Sequence, residues 1–550
     1  MKVVIVGGVA GGAGTAARLR RNDEKAEIIL LEKGPHISYA NCGLPYYVGG
    51  VIQEKGKLQL QTPQSFYNRF RVDVRTGHEV VSVNLEKKTV VVCAGDNNYE
   101  ESYDKLVLSP GAEPVVPPIE GIKENRDHIF TLRNVEDSYH IYDYIEEKHP
   151  KTCAVIGAGF IGMEIAENLF ERGISVSIIE GAEHVMPPLD SDMAHRVHNE
   201  IRSREIALHL NQMCSAIGKN DVTLSNGLRV KADFVILSIG VRPATEFLRD
   251  SGIALGKRGE IVVNEYMETS HKDIYALGDA VAVPHVVSGQ QVLIPLASPA
   301  NKQGRIVGDN LCGKHCAYKG SQGTSIMKFF DLVVAVTGEK EESLKIQKRP
   351  YGKVFTVSAS HAGYYPGGNQ MFVKTLFDPE SGRILGAQIV GKDGVDKRID
   401  LLANAVRFRQ TCYELQEEEL AYAPPFSSAK DPVNMVGYVI ENVLERKMKP
   451  YYVEDIENIP KDAVCLDVRT RAEYEMGHIP GYKNIPLDEL RERMEEIDKT
   501  KEIYITCQIG LRGYLAQCIL EQYGRKTKNL SGGYALYQEM SEDRAKKIEK

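Results

Sequence analysis

The stretch Lys2-Val3-Val4-Ile5-Val6-Gly7-Gly8-Val9-Ala10-Gly11-Gly12 decides how the first part of the chain folds. It reads as an apolar strand, a glycine-rich turn and the start of a helix. A second strand, Glu27 to Leu31, ends at Glu32. The glycines allow a tight turn, and free N–H groups at the helix N-terminus can hold a pyrophosphate. Glu32 lies about 20 residues beyond the glycines, where a carboxylate can bond ribose hydroxyls.

The same pattern recurs in the middle of the chain. The strand Thr152 to Ile156 leads into Gly157-Ala158-Gly159-Phe160-Ile161-Gly162, which has all three glycines of G-x-G-x-x-G, whereas Val9 replaces the middle one in the first unit. Two such units predict two bound dinucleotides. The second unit ends at Glu180, which would bond a free 2′-hydroxyl and repel a 2′-phosphate. We therefore expect NADH rather than NADPH there.

Bulk properties exclude several classes of protein. The chain has 550 residues and a net charge of −7, so we expect several domains and no attraction to nucleic acid or an anionic membrane. Its apolar runs are too short to span a bilayer. Its ten cysteines lack the spacing of a disulfide framework, which favours a reducing compartment. With the first strand beginning at Lys2, no room remains for a signal peptide, and we expect a cytoplasmic protein.

Two cysteines stand out by their surroundings. Cys42 lies in Ser38-Tyr39-Ala40-Asn41-Cys42-Gly43, and Cys507 opens the loop Cys507-Gln508-Ile509-Gly510-Leu511-Arg512. We expect each to lie where a thiolate is stabilised, and neither has a second cysteine nearby. This predicts sulfur chemistry at two sites. Cys312 and Cys316, four residues apart, fit either surface thiols or a regulatory disulfide.

The second half of the chain has no further glycine-rich unit before residue 445. Strands predicted at 326–336, 353–357, 371–376 and 384–390, with helices near 394–410 and 432–445, indicate an α+β domain. The basic segment Arg446 to Pro450 reads as a linker. The remaining residues alternate short strands with helices and predict a separate small α/β unit.

The order of motifs in the first 445 residues resembles that of the two-dinucleotide flavoprotein disulfide reductases. After the first unit come Cys42 and Ser109-Pro110-Gly111-Ala112, then the second unit, Gly240-Val241-Arg242-Pro243 and Gly278-Asp279. The resemblance implies FAD on the first unit, NADH on the second and a homodimer formed through the α+β domain. The predicted fold class is α/β, with two Rossmann-like dinucleotide-binding domains, an α+β dimerisation domain and a C-terminal α/β domain.

We place the domain boundaries accordingly. They are 1–149 and 269–320 for the two parts of the FAD-binding domain, 150–268 for the NADH-binding domain, 321–445 for the dimerisation domain, 446–452 for the linker and 453–550 for the C-terminal domain. The resemblance also implies that Glu32 binds the adenosine ribose of FAD and that Asp279 bonds its ribityl chain. The full set of predicted cofactor-binding residues is Gly7, Gly12, Glu32, Gly111, Gly157, Gly159, Gly162, Glu180, Gly278 and Asp279.

Most members of that superfamily carry two cysteines at C-x4-C, whereas this chain has Ser38 and Cys42 at those positions. This looks like the single-cysteine branch, which comprises coenzyme A disulfide reductases, NADH oxidases and NADH peroxidases. Arg18 and Arg21 share one helix face and can grip phosphates, as on the coenzyme A-binding edge of the coenzyme A disulfide reductases. The predicted coenzyme A-binding residues are Arg18, Arg21, Ser38, Asn41, Arg69, Arg71, Asn301 and Lys430.

Two tyrosines also match the coenzyme A disulfide reductases. Tyr364 lies in His361-Ala362-Gly363-Tyr364-Tyr365-Pro366-Gly367, and Tyr422 in Tyr422-Ala423-Pro424-Pro425. The resemblance implies that both reach the active site of the partner subunit, where their hydroxyls could bond a departing thiolate. From the residues alone, they fit two ordinary interface tyrosines equally well.

The last hundred residues resemble a rhodanese domain. The match runs from Asp467 to Pro486 and continues through Cys507-x-x-Gly510-x-Arg512 and Leu530-Ser531-Gly532-Gly533-Tyr534. Backbone N–H groups of residues 508 to 512, a helix N-terminus and Arg512 would stabilise a thiolate or a persulfide on Cys507. Asp467, Arg469 and Glu473 are expected to hold the loop, and His478 to be structural. A six-residue loop suits a sulfane sulfur.

Together the two resemblances indicate a coenzyme A disulfide reductase–rhodanese fusion. It would use NADH and FAD to reduce coenzyme A disulfide and coenzyme A per- or polysulfides, releasing sulfide and coenzyme A. Coenzyme A would supply the thiol that the missing second cysteine gives elsewhere, and its pantetheine arm would carry sulfur from Cys507 to Cys42. The predicted catalytic residues are Cys42, Cys507, Tyr364, Tyr422 and Arg512. We predict no metal site.

Two alternatives stay open at this stage. An NADH oxidase or peroxidase would cycle Cys42 through a sulfenic acid; the rhodanese unit and the arginine pair argue against it. A flavin redox sensor would use the rhodanese unit only for docking. It would need neither the intact Cys507 loop nor an intact NADH fingerprint.

Overall fold

The computed structural model describes residues 1–548. Its contacts divide the chain into two compact units. The first comprises Met1–Ala182 and Ala207–Gly323, and the second comprises Glu183–Ile206 and the chain from Thr324 onward. The segment Glu183–Ile206, which lies inside the predicted NADH-binding domain 150–268, therefore packs with the second unit.

The structure contains parallel and antiparallel sheets with helices between their strands. The strands are β1 (Lys2–Val6), β2 (Glu27–Glu32), β3 (Asp73–Thr76), β4 (Glu79–Asn84), β5 (Thr89–Ala94), β6 (Asn97–Ser102), β7 (Lys105–Leu108), β8 (Ala112–Pro114), β9 (Ile129–Phe130), β10 (Thr152–Ile156), β11 (Ser175–Glu180), β12 (Ala207–Leu210), β13 (Cys214–Ile217), β14 (Asp221–Leu224), β15 (Arg229–Lys231), β16 (Phe234–Leu237), β17 (Val241–Pro243), β18 (Ile274–Ala276), β19 (Val283–Pro284), β20 (Gln291–Val292), β21 (Ser325–Phe329), β22 (Leu332–Gly338), β23 (Gly352–Ala359), β24 (Gln370–Phe377), β25 (Ile384–Gly391), β26 (Pro450–Tyr451), β27 (Val464–Asp467), β28 (Lys483–Asn484), β29 (Glu502–Thr506) and β30 (Lys526–Leu530). The α-helices are α1 (Ala10–Asn22), α2 (Leu44–Val48), α3 (Pro63–Phe70), α4 (Val135–Lys148), α5 (Phe160–Glu171), α6 (Ser191–Ser203), α7 (Ala297–Asn310), α8 (Glu341–Ile346), α9 (Val395–Phe408), α10 (Cys412–Glu417), α11 (Pro432–Leu444), α12 (Arg471–Glu475), α13 (Leu511–Gln522) and α14 (Gly533–Ile548).

Two parallel sheets organise the first unit. One has the order β18-β7-β1-β2-β3 and the other β12-β11-β10-β16-β9. Their central strands β1, β7 and β10 are almost continuously apolar, as expected of parallel strands covered on both faces. Val3, Val4 and Ile5, for example, are completely buried. Both glycine-rich turns follow the carboxyl ends of central strands, where α/β sheets bind ligands.

The second unit contains one antiparallel and one parallel sheet. The antiparallel sheet has the order β21-β22-β25-β24-β23, and the parallel sheet has the order β26-β30-β29-β27-β28. The predicted fold class, with two dinucleotide-binding sheets, an α+β region and a C-terminal α/β sheet, is confirmed. Pro450 and Tyr451 pair with Asn529 and Leu530, so the last sheet begins inside the segment predicted as a linker.

The prediction of one strand over 326–336 is wrong. The chain forms the hairpin β21 and β22 there, with Ser325 opposite Val336. Phe330 adopts a left-handed conformation, with φ of 51°, and reverses the chain beside Asp331. An aromatic residue rarely takes this conformation, so no glycine or asparagine marks the turn in the sequence.

Buried charges tie the segment around α6 to the rest of the second unit. Lys374 on β24 is fully buried and contacts Asp190, Asp192 and Glu341. Burial lowers the pKa of Lys374, but the three carboxylates together outweigh it and raise the pKa. On α6, the Nδ1 atoms of His195 and His198 lie 2.5 and 3.0 Å from the Oδ2 atom of Asp543 on α14. These buried contacts join α6 to β24 and α14 of the second unit, and removing one partner would leave an uncompensated buried charge.

Within residues 1–548, no helix combines the length and the apolar character needed to cross a membrane.

Candidate active sites

The first glycine of each dinucleotide unit makes a turn that only glycine permits. Gly7 has φ of +94°, and a Cβ there would lie 2.0 Å from the Ser109 carbonyl oxygen. Gly157 has φ of +100°, and a Cβ would lie 2.4 Å from the Ser238 carbonyl oxygen. Both turns therefore bring the helix start against the neighbouring strand end of the same sheet.

The middle position of the glycine motif is Val9 in the first unit and Gly159 in the second, and both residues have negative φ angles that any residue can adopt. Val9 precedes α1 and Gly159 precedes α5, and neither caps its helix with a side chain. A Cβ added at Gly159 meets no atom within 4 Å, so the fold itself tolerates a side chain there. The uncapped N–H groups of both helices suit a pyrophosphate. The residues of both turns therefore fit a dinucleotide.

The two acidic residues at the strand ends occupy equivalent positions. Glu32 accepts hydrogen bonds from the amides of Gly8 and Gly34, both at 2.8 Å. Glu180 accepts bonds from the amides of Ala158 and Ala182, at 2.7 and 2.9 Å. Burial raises the pKa of Glu32, although the two amides oppose this. Each carboxylate is thus fixed next to the glycine-rich turn, where a ribose of a bound dinucleotide would lie.

Cys42 lies in the 3₁₀ turn Asn41–Gly43, directly before α2, and its thiol is free and exposed. Partial burial of the sulfur raises its pKa, and the carboxylates of Glu164 and Asp279 raise it further, against the effect of Arg133. The chain's own groups thus disfavour the Cys42 thiolate, and the expectation that a bound flavin stabilises it stays a prediction. Burial is the largest cause of the raised pKa, and two carboxylates add to it against one guanidinium.

Arg133 is a residue of this site that the sequence analysis missed. Its Nη2 donates to Asp279 at 2.9 Å and its Nε donates to the carbonyl of Ala112 at 2.8 Å. The amide of Asn41, oriented with its nitrogen toward the Arg133 carbonyl, bonds both that carbonyl and Nη1. One guanidinium thus links the residue before Cys42 to the predicted ribityl-binding carboxylate. Its segment, Leu132 to Asn134, carries no motif that would have revealed it.

Glu164 is a second missed residue. It lies on α5, two positions beyond Gly162, and its carboxylate is 3.4 Å from the hydroxyl of Tyr46. Burial raises the pKa of Glu164 to about 7. Burial and Glu164 also raise the pKa of Tyr46 to about 12. An acidic residue on the helix of the NADH motif could have been noted from its spacing, but nothing in the sequence places it near Cys42.

The two arginines predicted to bind coenzyme A, Arg18 and Arg21, have different surroundings in the structure. Arg18 is bound by Asp309 through Nε at 2.8 Å and Nη2 at 3.0 Å, whereas Arg21 is exposed. Arg20, between them, is buried and donates to the carbonyls of Phe70 and Arg71. This contact brings residues 69–71 to the C-terminal end of α1. Asp309, which neutralises Arg18, was not anticipated.

The other predicted coenzyme A-binding residues differ in environment. Ser38 is half-buried, with φ of 45°, and its amide donates to the Gly8 carbonyl. Asn301 is exposed on α7, near Gly14 of α1. Arg69 and Arg71 are exposed, as is Lys430 in the second unit. Gly111 and Gly278 have positive φ angles. The Gly278 amide donates to Oε1 of Gln303 at 2.8 Å, and the sequence analysis did not identify Gln303.

Cys507 lies between β29 and α13 in the second unit and is fully buried. The amide of Gly510 donates to its Sγ at 3.2 Å. Gly510 has φ of +97°, which turns this amide into the loop. The segment after β30 packs behind the loop, since the amides of Tyr534 and Ala535 donate to the carbonyls of Cys507 and Gln508. One backbone amide of the loop thus faces the sulfur, as in the backbone sites that bind anions.

Charged residues brace the Cys507 loop. Arg512 donates to Glu473 at 2.6 and 2.7 Å, and this bond lowers the pKa of Glu473 to about 2. Arg469 is buried, binds Asp467 and reaches Gln508 at 3.3 Å. Arg512 is therefore held by a carboxylate and is not a free cation. His478 stacks on Tyr474 outside the loop.

Tyr364 and Tyr422 come together on the surface of the second unit. Their hydroxyls are 2.7 Å apart, and 75% of Tyr364 and 46% of Tyr422 are exposed. Phe426 nearby in sequence is 71% exposed. Tyr364 and Tyr422 thus place two exposed aromatic rings next to each other, which suits a surface that contacts another protein.

Three family models match the chain. Residues 1–304 match pyridine nucleotide-disulphide oxidoreductase, residues 324–432 match the dimerisation domain of the same group, and residues 452–540 match a rhodanese-like domain. A coenzyme A disulfide reductase of Staphylococcus haemolyticus is 39% identical over 440 residues, which cover 80% of this chain and 98% of that protein.

Solved structures extend the similarity over the whole chain. Reduced Bacillus anthracis CoADR-RHD is 48% identical, with a TM-score of 0.97 over 99% of this chain and 98% of the other. An NAD-dependent persulfide reductase from A. fulgidus is 36% identical, with a TM-score of 0.92 over 98% and 100% of the two chains. A water-forming NADH oxidase from Lactobacillus brevis is 28% identical and matches 81% of this chain, with a TM-score of 0.77.

Proposed function

Because the chain belongs to the pyridine nucleotide-disulphide oxidoreductase family and ends in a rhodanese-like domain, we propose that it reduces coenzyme A disulfide and coenzyme A per- or polysulfides with NADH. The observation that carries the proposal is the pairing of a lone thiol, Cys42, beside a dinucleotide turn with a second sulfur site at Cys507. A disulfide reductase with one cysteine at its site needs a second thiol from its substrate. A coenzyme A thiol meets that need.

The glycine turns and the carboxylates Glu32 and Glu180 would hold FAD and NADH, and Asp279 would contact the ribityl chain of FAD. When bound, FAD supplies the two-electron transfer between NADH and a disulfide. Arg133 binds both Asp279 and Asn41, the residue before Cys42. The chain thus contributes the nucleophile and fixes the groups around it.

The sulfur steps use the two cysteines in sequence. The Cys507 thiolate attacks the terminal sulfur of a polysulfide, expels the shortened polysulfide and keeps the transferred sulfur as a persulfide beside the Gly510 amide. A coenzyme A thiolate attacks the outer sulfur, leaves with it as coenzyme A persulfide and returns Cys507 as a thiolate. The Cys42 thiolate then attacks the inner sulfur of that persulfide, forms a mixed disulfide with coenzyme A and expels hydrosulfide. Two electrons from NADH reopen the mixed disulfide and release coenzyme A.

The protein acts as a homodimer in this proposal, in the cytoplasm, without nucleic acid or membrane partners. The match to a dimerisation domain and the exposed pair Tyr364 and Tyr422 support the dimer. In the dimer the two hydroxyls would reach the active site of the partner subunit and bond a departing thiolate. Arg18, Arg21, Arg69, Arg71, Asn301 and Lys430 remain proposed contacts of coenzyme A.

Mass spectrometry of the purified, unreduced protein tests the proposal. We expect a coenzyme A adduct on Cys42 that a reducing agent removes and that is absent from Cys42→Ser. Cys312→Ser is the matched control and should keep the adduct. A protein without the adduct that consumes NADH with oxygen alone would instead support the oxidase alternative. Negligible turnover with every acceptor would support a redox sensor.

A further inference from the structure

A buried carboxylate near the end of α7, that of Asp309, joins two cations in the first unit. Its two oxygens accept from Nε and Nη2 of Arg18 on α1, at 2.8 and 3.0 Å. Its Oδ1 also accepts from Nζ of Lys314 at 3.2 Å and from Nδ2 of Asn22 at 2.8 Å. Lys314 lies in the loop that follows α7. Two cations thus share one carboxylate, so the cluster keeps a net positive charge.

The contact depends on the close packing of α1 against α7. Gly308 directly precedes Asp309, and a Cβ at Gly308 would lie 2.7 Å from the Cβ of Arg18. One turn earlier, a Cβ at Gly304 would lie 2.8 Å from the carbonyl oxygen of Gly11. The absence of a side chain at both positions lets the helix backbones approach each other. The base of the Arg18 side chain therefore lies at a fixed place beside the carboxylate.

Asp309 holds the Arg18 guanidinium by one edge and leaves another edge available. The carboxylate takes the edge formed by Nε and Nη2, whereas Nη1 has no partner among the described residues. The edge formed by Nη1 and Nη2 can therefore bind a second anion, in the bidentate way that suits phosphate. The side chain of Lys314 is 52% exposed and can reach the same anion.

The charge of Asp309 persists at neutral pH. Burial acts to raise the pKa of Asp309, but hydrogen bonds from Asn22, Arg18 and Lys314 lower it below its ordinary value. A neutral carboxyl group would hold the two cations less firmly than the carboxylate does. The cluster therefore keeps its arrangement in the pH range in which the enzyme would work.

The cluster lies along the same seam between α1 and α7 as another predicted coenzyme A contact. Oδ1 of Asn301 lies 3.8 Å from the Cβ position of Gly14, and Arg18 follows Gly14 by one helical turn. Asn301 and Asp309 are eight residues apart on α7 and so share one face of it. A ligand that follows the seam from Asn301 reaches the free edge of Arg18.

We propose that Asp309 is a positioning residue that fixes Arg18 and Lys314 as a two-cation site for phosphate groups of the coenzyme A substrate. The inference rests on the proposed function and adds Asp309 and Lys314 to it. A guanidinium that is already held loses less freedom when a phosphate binds, so its orientation by Asp309 favours binding. Lys314 adds an exposed charge whose attraction for the phosphate is screened by salt.

The test compares two disulfides as substrates of the full-length holoenzyme with NADH. Coenzyme A disulfide carries phosphate groups, whereas pantethine has the same thiol arm without them. Asp309→Ala should raise the KM for coenzyme A disulfide roughly three- to tenfold, with kcat unchanged and both constants for pantethine unchanged. Asp309→Asn, which keeps the shape and one acceptor oxygen, should have the same effect to a smaller extent. A lower KM in both variants would show that the carboxylate competes with the phosphate, and would overturn the proposal.

Lys314→Met tests the second cation. It should raise the KM for coenzyme A disulfide roughly two- to fivefold and weaken the dependence of that KM on salt concentration. The KM for pantethine should not change. Lys272→Met, which removes another exposed lysine of the first unit, is the control. Equal effects of the two lysine variants would refute a specific role of Lys314.

Asp273→Asn is the matched control for Asp309→Asn. Asp273 also joins two cations, since it accepts from Lys88 at 2.9 Å and from Lys105 at 3.0 Å. It lies at the amino end of β18, whereas the glycine turn follows the carboxyl ends of the parallel strands. Its substitution should leave the KM values for both disulfides unchanged. Equal changes of the two KM values in Asp309→Ala would mean a general disturbance of the fold and would overturn the proposal.

Calorimetric titration of coenzyme A into the full-length Cys42→Ser holoenzyme, with and without Asp309→Ala, separates this inference from the proposed function. We expect the Kd to rise by the same factor as the KM. A wild type that reduces neither disulfide would refute the reductase function, and the Kd would still decide the role of Asp309. A wild type that reduces both disulfides with equal KM values would refute the phosphate site and leave the reductase function intact.

Discussion

The two predicted sulfur sites of this chain differ in exposure and in the groups around the sulfur. Cys42 is exposed, yet burial of its sulfur and the carboxylates Glu164 and Asp279 raise its pKa. Cys507 is fully buried, yet its sulfur accepts the Gly510 amide inside a loop at the start of α13. The exposed cysteine therefore lies among groups that disfavour its thiolate, whereas the buried cysteine has a hydrogen-bond donor at its sulfur.

This difference indicates what each site must obtain from elsewhere. The Cys507 loop directs a backbone amide, that of Gly510, at the sulfur from its own chain. The chain's own groups around Cys42 disfavour its thiolate. In the proposed function, FAD bound beside Cys42 would supply the missing stabilisation of the thiolate.

The largest expected effect comes from removing each sulfur in turn. Cys42→Ser should lower NADH turnover with every sulfur acceptor by roughly three orders of magnitude or more, because the nucleophile is lost. Cys507→Ser should leave coenzyme A disulfide reduction intact and reduce persulfide turnover. Steady-state NADH oxidation with both substrates is the measurement. Equal loss of both activities in Cys507→Ser would refute the division of labour.

A smaller effect should follow from displacing the Cys507 loop alone. Gly533 has φ of +64°, and a Cβ there would lie 2.6 Å from the Cys507 carbonyl oxygen. Gly533→Ala should therefore shift the loop and lower sulfur transfer roughly 100-fold, with coenzyme A disulfide reduction unchanged. Gly524→Ala is the matched control, because Gly524 has φ of +76° and no neighbour within 4 Å. Similar losses in both variants would point to backbone strain instead of loop displacement.

At Cys42 the sharpest test is the charge on Glu164. Its pKa of about 7, raised by burial, means that Glu164 is neutral below this pH and acts on the thiol only above it. Since its charge raises the Cys42 pKa, Glu164→Gln should make alkylation of the reduced enzyme roughly two- to fivefold faster at about pH 8. Below about pH 6 the wild-type and variant rates should coincide. A constant ratio at all pH values would show that Glu164 acts by packing.

The smallest effect concerns the ion pair that braces the Cys507 loop. Arg512 lowers the pKa of Glu473 to about 2, so the pair stabilises the fold above the ordinary carboxyl range and is lost only as the pH falls toward 2. Because the pair is partly exposed, solvent screening limits its contribution to about 0.5–1 kcal/mol. Glu473→Gln should lower the thermal midpoint slightly at neutral pH, and the difference should shrink between about pH 4.5 and 2. A difference independent of pH would exclude the ion pair as its cause.

Much of the fold could be predicted from local patterns. The bounds of β1 and β10 agree with the apolar runs before each glycine turn, because a parallel strand buried on both faces is continuously apolar. The family resemblance is confirmed for both the reductase and the rhodanese parts. The hairpin at Phe330 was missed because its turn uses an aromatic residue in a left-handed conformation.

The candidate sites were predicted less completely than the fold. Arg133 and Glu164 were missed since neither stands near Cys42 in the sequence, although both act on its sulfur. Arg18 appeared to be a free phosphate ligand, but Asp309, almost 300 residues away, binds it. Long-range ion pairs of this kind depend on which elements pack together, and no local pattern records them.

The sequence by itself determined the chemistry available: two glycine turns, two strand-end carboxylates, one cysteine beside each predicted ligand site and a rhodanese loop. These features are local, because backbone geometry and hydrogen bonding over a few residues suffice to define them. Only the tertiary structure decided the electrostatics of Cys42 and the pairing of Arg18 with Asp309. Those depend on distances between residues remote in sequence, and such charge interactions are set by packing.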